Sequence, residues 1–133
     1  MVLSLEEKTK LYEKANKLYE SIKDIKIRRE IAINVSPKYY DSDSRYTSYG
    51  FKYYYNGSIS IFARNIKDSL EELKNYIDYK NGGPEYIDGK SVRFLSDYTV
   101  NALLDFIYHG DTIKNEIIRQ NERERKELND LLS

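Results

Sequence analysis

Tyr49-Gly50-Phe51-Lys52-Tyr53-Tyr54-Tyr55-Asn56-Gly57-Ser58-Ile59-Ser60-Ile61-Phe62-Ala63 is the stretch on which the fold turns. Two runs of aromatic and β-branched residues flank Asn56-Gly57, a dipeptide that favours hairpin turns because both residues tolerate positive φ. Two registers compete. A two-residue Asn-Gly turn sets Tyr55 opposite Ser58 and puts Lys52 and Tyr54 on the same face as Ile59 and Ile61. A three-residue loop of Tyr55, Asn56 and Gly57 gives Gly57 the left-handed position of a bulged turn, and Tyr49, Phe51 and Tyr53 then share a face with Ile59, Ile61 and Ala63. The second arrangement gathers the apolar side chains, and a slip of one residue would turn all of them to the wrong side, so it is the expected register.

Upstream, Ile25, Ile27, Ile31, Ile33 and Val35 alternate with Lys26, Arg28, Glu30, Ala32 and Asn34, the period of a strand with one buried face. Arg29 breaks the apolar side, and Ser36-Pro37 ends the strand because proline lacks the ladder donor. Before it, Ser4 and Glu7 stand at capping-box spacing, and Leu11, Ala15, Leu18 and Ile22 form a helical stripe edged by Tyr12 and Tyr19. Downstream, a second helix is expected from Asn65, with Ile66, Leu70, Leu73 and Ile77 on one stripe, stopping at Asn81-Gly82-Gly83-Pro84. Asp88-Gly89 between Tyr86-Ile87 and Val92 suggests a short hairpin. Ser96 caps a third helix bearing Val100, Leu103, Leu104 and Ile107 that ends at Gly110, and Asp111 is read as the cap of a last helix. The expected fold is α+β, one domain over residues 1–133. A three-stranded antiparallel sheet has helices packed on its odd-numbered face, in the order α-β-β-β-α-(short hairpin)-α-α, with 111–132 a long polar C-terminal helix.

Composition narrows the chemistry. The formal charge is zero, but residues 1–64 carry 12 Lys and Arg against 8 Asp and Glu, leaving the remainder equally acidic. The total therefore implies no bulk attraction to nucleic acid or to an anionic membrane. Without cysteine there is no disulfide framework, thiolate nucleophile or Cys-based metal site, and an intracellular, cytoplasmic location is the expectation. No apolar run is long enough to span a bilayer, and Met1-Val2-Leu3-Ser4 leads into a charged helix with no signal-peptide pattern. No Gly-x-Gly-x-x-Gly or Walker-type loop occurs. His109, the lone histidine, falls at a helix C-terminus, where a capping role accounts for it. Asp41 and Asp43 lack the glycine and distal glutamate of a calcium loop. No catalytic residue, cofactor or metal is expected, and the chain reads as a non-enzyme.

Half of the 14 tyrosines fall within residues 39–55. Tyrosine joins a large apolar face to a polar hydroxyl at low side-chain entropy, which suits recognition surfaces; it is also a strong strand former, so part of the cluster serves the sheet. The candidate partner-binding residues are Tyr39, Tyr40, Arg45, Tyr46, Tyr49, Lys52, Tyr54, Phe62 and Arg64, with a protein as the expected partner. An alternative uses Lys52, Tyr54, Phe62 and Arg64 as a platform that stacks bases or nucleotides and contacts phosphates. Ile117, Asn121, Glu124, Leu128 and Leu131 keep the 4-3-4-3 step of a coiled-coil seam with polar residues in two core places, the basis for expecting a homodimer. Small size, no cysteine, a tyrosine-rich surface and no catalytic apparatus are similar in style to accessory proteins of phages or mobile elements. Many of these bind and block a host factor, defence nucleases included, as anti-CRISPR-like inhibitors do.

Overall fold

The computed structural model describes residues 2–26, 30–39, 51–55, 59–61 and 64–133; for 51–55, 59–61 and 64 it describes strand position and pairing. The architecture is α+β, with four helices and a small antiparallel sheet. Helix α1 spans Leu5–Ile22 and opens with the full capping box: the Ser4 hydroxyl accepts from the Glu7 N–H at 3.1 Å and the Glu7 carboxylate accepts from the Ser4 N–H at 3.0 Å. Leu11, Ala15 and Ile22 are buried, and Leu18, Tyr12 and Tyr19 pack at the edge of the core.

Strand β1 is Ile31–Val35, shorter than the isoleucine alternation suggests. Ile25 is not part of it. The Ile25 N–H donates to the Ile22 carbonyl at 2.9 Å, so the chain there is still turning out of α1. An isoleucine leaving a helix packs on the core just as a strand residue does. Alternation alone cannot separate the two. Arg28 and Arg29 lie outside the described residues. Ile31 and Ile33 are buried while Ala32 and Asn34 face solvent, so the odd-numbered side of β1 is the inner one.

Strand β2 (Phe51–Tyr55) pairs with β1 on one side and β3 (Ile59–Ile61) on the other. The partners Tyr55↔Ile59, Tyr54↔Ser60 and Tyr53↔Ile61 place odd residues opposite odd ones, the parity expected. The pairing, however, runs two residues off the expected one, with Tyr53 opposite Ile61 rather than Ile59. A two-residue slip on one strand preserves which residues share a face, so the apolar pattern was blind to it. The conformation of Gly57 falls outside the described residues. The sheet also carries a fourth strand that the three-stranded expectation lacks: β4 (Arg64–Asn65), two residues paired with Ile61 and Ser60, giving the order β1-β2-β3-β4. It escaped notice because two residues are too few to show alternation.

Asn65 is also the N-cap of α2 (Ile66–Lys80), its side chain accepting from the Lys67 N–H at 2.8 Å. Ile66, Leu70, Leu73 and Ile77 are buried along one stripe. The helix stops where Gly82 adopts φ +95° and the Gly83 N–H turns back to the Asp78 carbonyl at 2.8 Å. A Cβ on Gly83 would lie 2.7 Å from that carbonyl oxygen, so the position admits only hydrogen. The short hairpin forms from β5 (Tyr86–Ile87) and β6 (Lys90–Ser91).

Ser96 caps α3 (Asp97–Tyr108), accepting from the Tyr98 N–H. Glu72 of α2 fixes this end, one carboxylate oxygen accepting from the Ser96 N–H at 3.3 Å and the other from the hydroxyl of buried Thr99 at 2.8 Å. The last helix, α4, runs from Gly110 to Leu132 and starts with no side-chain cap; Asp111 sits inside its first turn and is not the cap. His109 is the hinge residue between α3 and α4, ending one and preceding the other. Ile113 and Ile117 anchor α4 in a core shared with Phe106, Leu103, Ile66, Leu73, Ile22 and β1. Helix α4 contacts β1, and α2 contacts β3 and β4.

Candidate functional site

Proline at position 37 ends β1, and the chain beyond it crosses the C-terminal end of α3. The anchor there is Asp105, whose side chain is fully enclosed. It lies between Leu104 and Phe106 in an otherwise apolar helix turn. A buried carboxylate is tolerated only where hydrogen bonds replace its water. Here the peptide N–H groups do so: Lys38 N–H donates to Oδ1 at 2.8 Å, and Tyr39 N–H donates to Oδ1 at 3.2 Å and Oδ2 at 3.1 Å. Hydrogen bonds to an ionised acceptor are about twice as strong as neutral ones. The first residue of the tyrosine-rich stretch is thus tied to the core at its backbone.

One helical turn later His109 adds a second tie. Its Nε2 lies 2.8 Å from the Ser36 carbonyl oxygen, so this nitrogen carries the proton and donates. It is also 3.8 Å from Asp105 Oδ1. The expected capping role of His109 takes a different form: its backbone N–H closes α3 on the Asp105 carbonyl at 2.9 Å, while the ring holds the β1 exit rather than its own helix end.

Outside these ties the side chains form a surface cluster. The Tyr108 ring, 56% exposed as a residue, stands edge-on to Tyr39 at 6.2 Å and to the His109 ring at 4.8 Å. Lys38 Nζ sits 4.4 Å from the Tyr108 ring centre and 5.5 Å from that of Tyr39. Edge-to-face rings and a cation over their faces contribute about 0.5–1 kcal/mol each at exposed positions. The cluster is pre-arranged for contact, offering two aromatic rings and an ammonium group. It holds no nucleophile–base pair, and no three metal-ligating side chains come together among the described residues.

Of the sequence-derived partner-binding residues, Tyr39 is in this cluster. Tyr40, Arg45, Tyr46, Tyr49 and Phe62 lie outside the described residues. Lys52 and Tyr54 hold β2 positions opposite Asn34 and Ala32, and Arg64 opens β4; these are backbone placements. In the presumed dimer seam, Ile117 is fully buried in the core of its own chain and is unavailable to a second copy. Asn121 is exposed, Glu124 is half-buried, and Leu128 and Leu131 are exposed. Sequence reasoning passed over Lys38, Asp105 and Tyr108. The usable signal was Asp105 itself, a lone charge inside Ala102-Leu103-Leu104-Asp105-Phe106-Ile107 that has to find partners to be there at all.

No helix among the described residues is long and apolar enough to cross a membrane. Comparison with protein-family models, with curated proteins and with solved structures finds no match for this chain.

Proposed function

We propose that the chain is a non-catalytic protein-binding module whose contact surface begins at the Lys38, Tyr39 and Tyr108 cluster and continues into the tyrosine-rich segment that follows. The observation that carries this reading is the anchoring of Tyr39 through its N–H to fully buried Asp105 beside an exposed Tyr108. A backbone held this firmly spends little further entropy when its side chains meet a partner, and rigid tyrosines are the usual energetic centres of protein interfaces. A partner among host factors, defence nucleases included, is proposed by analogy in style, since small size, no cysteine and a tyrosine-rich segment are features of accessory proteins of phages or mobile elements that bind and block such factors.

The test is affinity capture from host lysate, with and without nuclease, using the natural chain and a Tyr39→Ala/Tyr108→Ala variant. A stoichiometric protein that survives nuclease and is lost by at least about tenfold in the variant, while the variant unfolds cooperatively, supports the reading. Equal capture by the variant would sink it. Recovery of nucleic acid in place of protein would favour base stacking by Lys52, Tyr54, Phe62 and Arg64 instead.

A further inference from the structure

Helices α1 and α2 lie side by side and antiparallel. Lys8, early in α1, sits 5.1 Å from the ring centre of Tyr76, late in α2. At the other end Lys23, just past α1, and Lys67, in the first turn of α2, line one cleft of about 230 Å³. Buried Leu70 is its floor, and half-buried Tyr12 and Tyr19 stand along its α1 side with Asn16 between them. We infer that this face of the α1–α2 pair binds single-stranded nucleic acid, its lysines holding phosphates and the cleft tyrosines stacking on bases. The face shares no residue with the Tyr39 and Tyr108 cluster, nor with Lys52, Tyr54, Phe62 and Arg64.

The charges are unevenly matched. Lys23 is paired with Glu20 at 2.7 Å, and Lys74, also in the cleft, with Asp78 at 3.2 Å. Lys8, Lys67 and Lys80 have no ion-pair partner among the described residues, and Glu71 is the remaining carboxylate lining the cleft. Five lysines against three carboxylates leave the face with a net charge of +2 in a chain whose total is zero. Lys8 and Lys80 also converge, at 5.1 and 5.7 Å from the centre of the same Tyr76 ring. Their ammonium groups therefore lie within about 11 Å of each other, close to the Debye length at moderate salt. Two like charges gathered there without a counter-ion attract an anion.

Rings beside these cations favour a nucleic acid strand over an acidic protein segment. Any base can stack on a tyrosine, because every base has a π face. An acidic peptide would use the lysines and leave the rings idle. Tyr12 and Tyr19 are two helical turns apart, about 10 Å along the axis, which leaves room for a base to enter between them. Lys67 and Lys80 mark the two ends of α2, about 20 Å apart, so phosphates of successive nucleotides meet cations on both sides of the cleft. Glu71 lies within the cleft with the tyrosines, where base amino groups rather than phosphates meet it.

The experiment is fluorescence anisotropy of a labelled oligodeoxycytidylate of about ten nucleotides, titrated with the full chain over a series of salt concentrations. Three unmatched lysines neutralise three phosphates, so log K should fall against log salt with a slope of about −2. A Lys8→Gln/Lys67→Gln/Lys80→Gln variant should bind at least about tenfold more weakly at low salt and lose most of that slope. Tyr12→Leu/Tyr19→Leu, which keeps an apolar side chain against the core, should weaken binding by at least about fivefold with the slope unchanged. Lys52→Gln/Arg64→Gln should bind as the natural chain does. In the natural chain, amide NMR shifts should move within residues 8–23 and 67–80. Absent or salt-insensitive binding, equal binding by the triple lysine variant, or shifts confined to other residues would overturn the inference. So would loss of binding in the Lys52 and Arg64 variant, which would place the strand on the sheet. Equal binding of polyglutamate would overturn it as well, by assigning the face to an acidic protein.

Discussion

Replacing Asp105 by alanine removes the acceptor that, among the described residues, satisfies the N–H groups of both Lys38 and Tyr39. Three donor contacts of 2.8–3.2 Å end on its carboxylate, and the side chain is sealed from solvent. Each partly buried N–H left without an acceptor costs about 1–3 kcal/mol. The segment over α3 is only part-buried, so it can lift and let water reach the freed donors, which puts the total near the lower end, at about 2–4 kcal/mol. For a domain of this size that corresponds to a fall in Tm of about 8–15 °C. Urea unfolding followed by far-UV circular dichroism reads the change directly. The midpoint should fall with the slope unchanged, since the surface exposed on unfolding is nearly the same. Asp105→Asn keeps one acceptor oxygen in place but aims an NH2 at a donor, and should lose about half as much. Hydrogen exchange supplies a local readout, with the Lys38 and Tyr39 amides losing protection in both variants while the β1 amides keep theirs. An alanine variant within about 0.5 kcal/mol of the natural chain would refute the argument, because that is the scale of an ordinary surface substitution.

Other perturbations test separate parts of the structure. Ser69 Oγ is buried with no hydrogen-bond partner among the described residues, so Ser69→Ala should stabilise the protein by about 0.5–1.5 kcal/mol; a loss of stability in thermal unfolding would mean that the hydroxyl is satisfied after all. Gly83→Ala drives a Cβ to 2.7 Å from the Asp78 carbonyl oxygen and should cost about 2 kcal/mol or more by unwinding the last turn of α2, visible as lost exchange protection at Asn81 and Gly82. The Glu7 carboxyl is held below its ordinary value near 4.5, first by the Ser4 backbone N–H and then by the Ser4 hydroxyl. The capping box therefore contributes fully above about pH 4.5 and is lost as pH falls through the lowered folded value. Helical shifts at residues 5–8 should fade over that window in the natural chain, and a Glu7→Gln variant should show no such pH dependence.

What was readable beforehand follows the physics of each element. Long apolar stripes with a polar cap at one end, as in Ser4 to Ile22 or Asn65 to Ile77, announce themselves because one helix face and one terminus both constrain the residues. The hairpin parity was legible for the same reason, since misplacing it by one residue would expose its isoleucines. Its exact step was not, because a shift by two leaves the faces alike. Strand β4 and the turn at Ile25 lie below the length at which periodicity exists. The candidate site was half visible. Tyrosine enrichment pointed to Tyr39, but Asp105, Lys38 and Tyr108 meet across 66 or more residues of chain, and no local pattern records a hydrogen bond of that reach.

Among the described residues, the fully buried side chains of helix α4 lie near its start. Ile113 and Ile117 are fully buried, whereas Leu131 and Leu132 are 83% and 77% exposed. From Ile117 to Leu131 the helix forms a rigid arm of about 21 Å at 1.5 Å per residue. Rotating that arm by about 10° about Ile117 sweeps the far end through about 4 Å, roughly the spacing between adjacent strands. The space between Glu30, Ile31 and Ala32 of the β1 end and Leu128 and Leu131 of the helix is therefore geared to the seating of two isoleucines in the core. A substitution such as Ile117→Val, which touches no surface residue, would retune that space from inside the molecule.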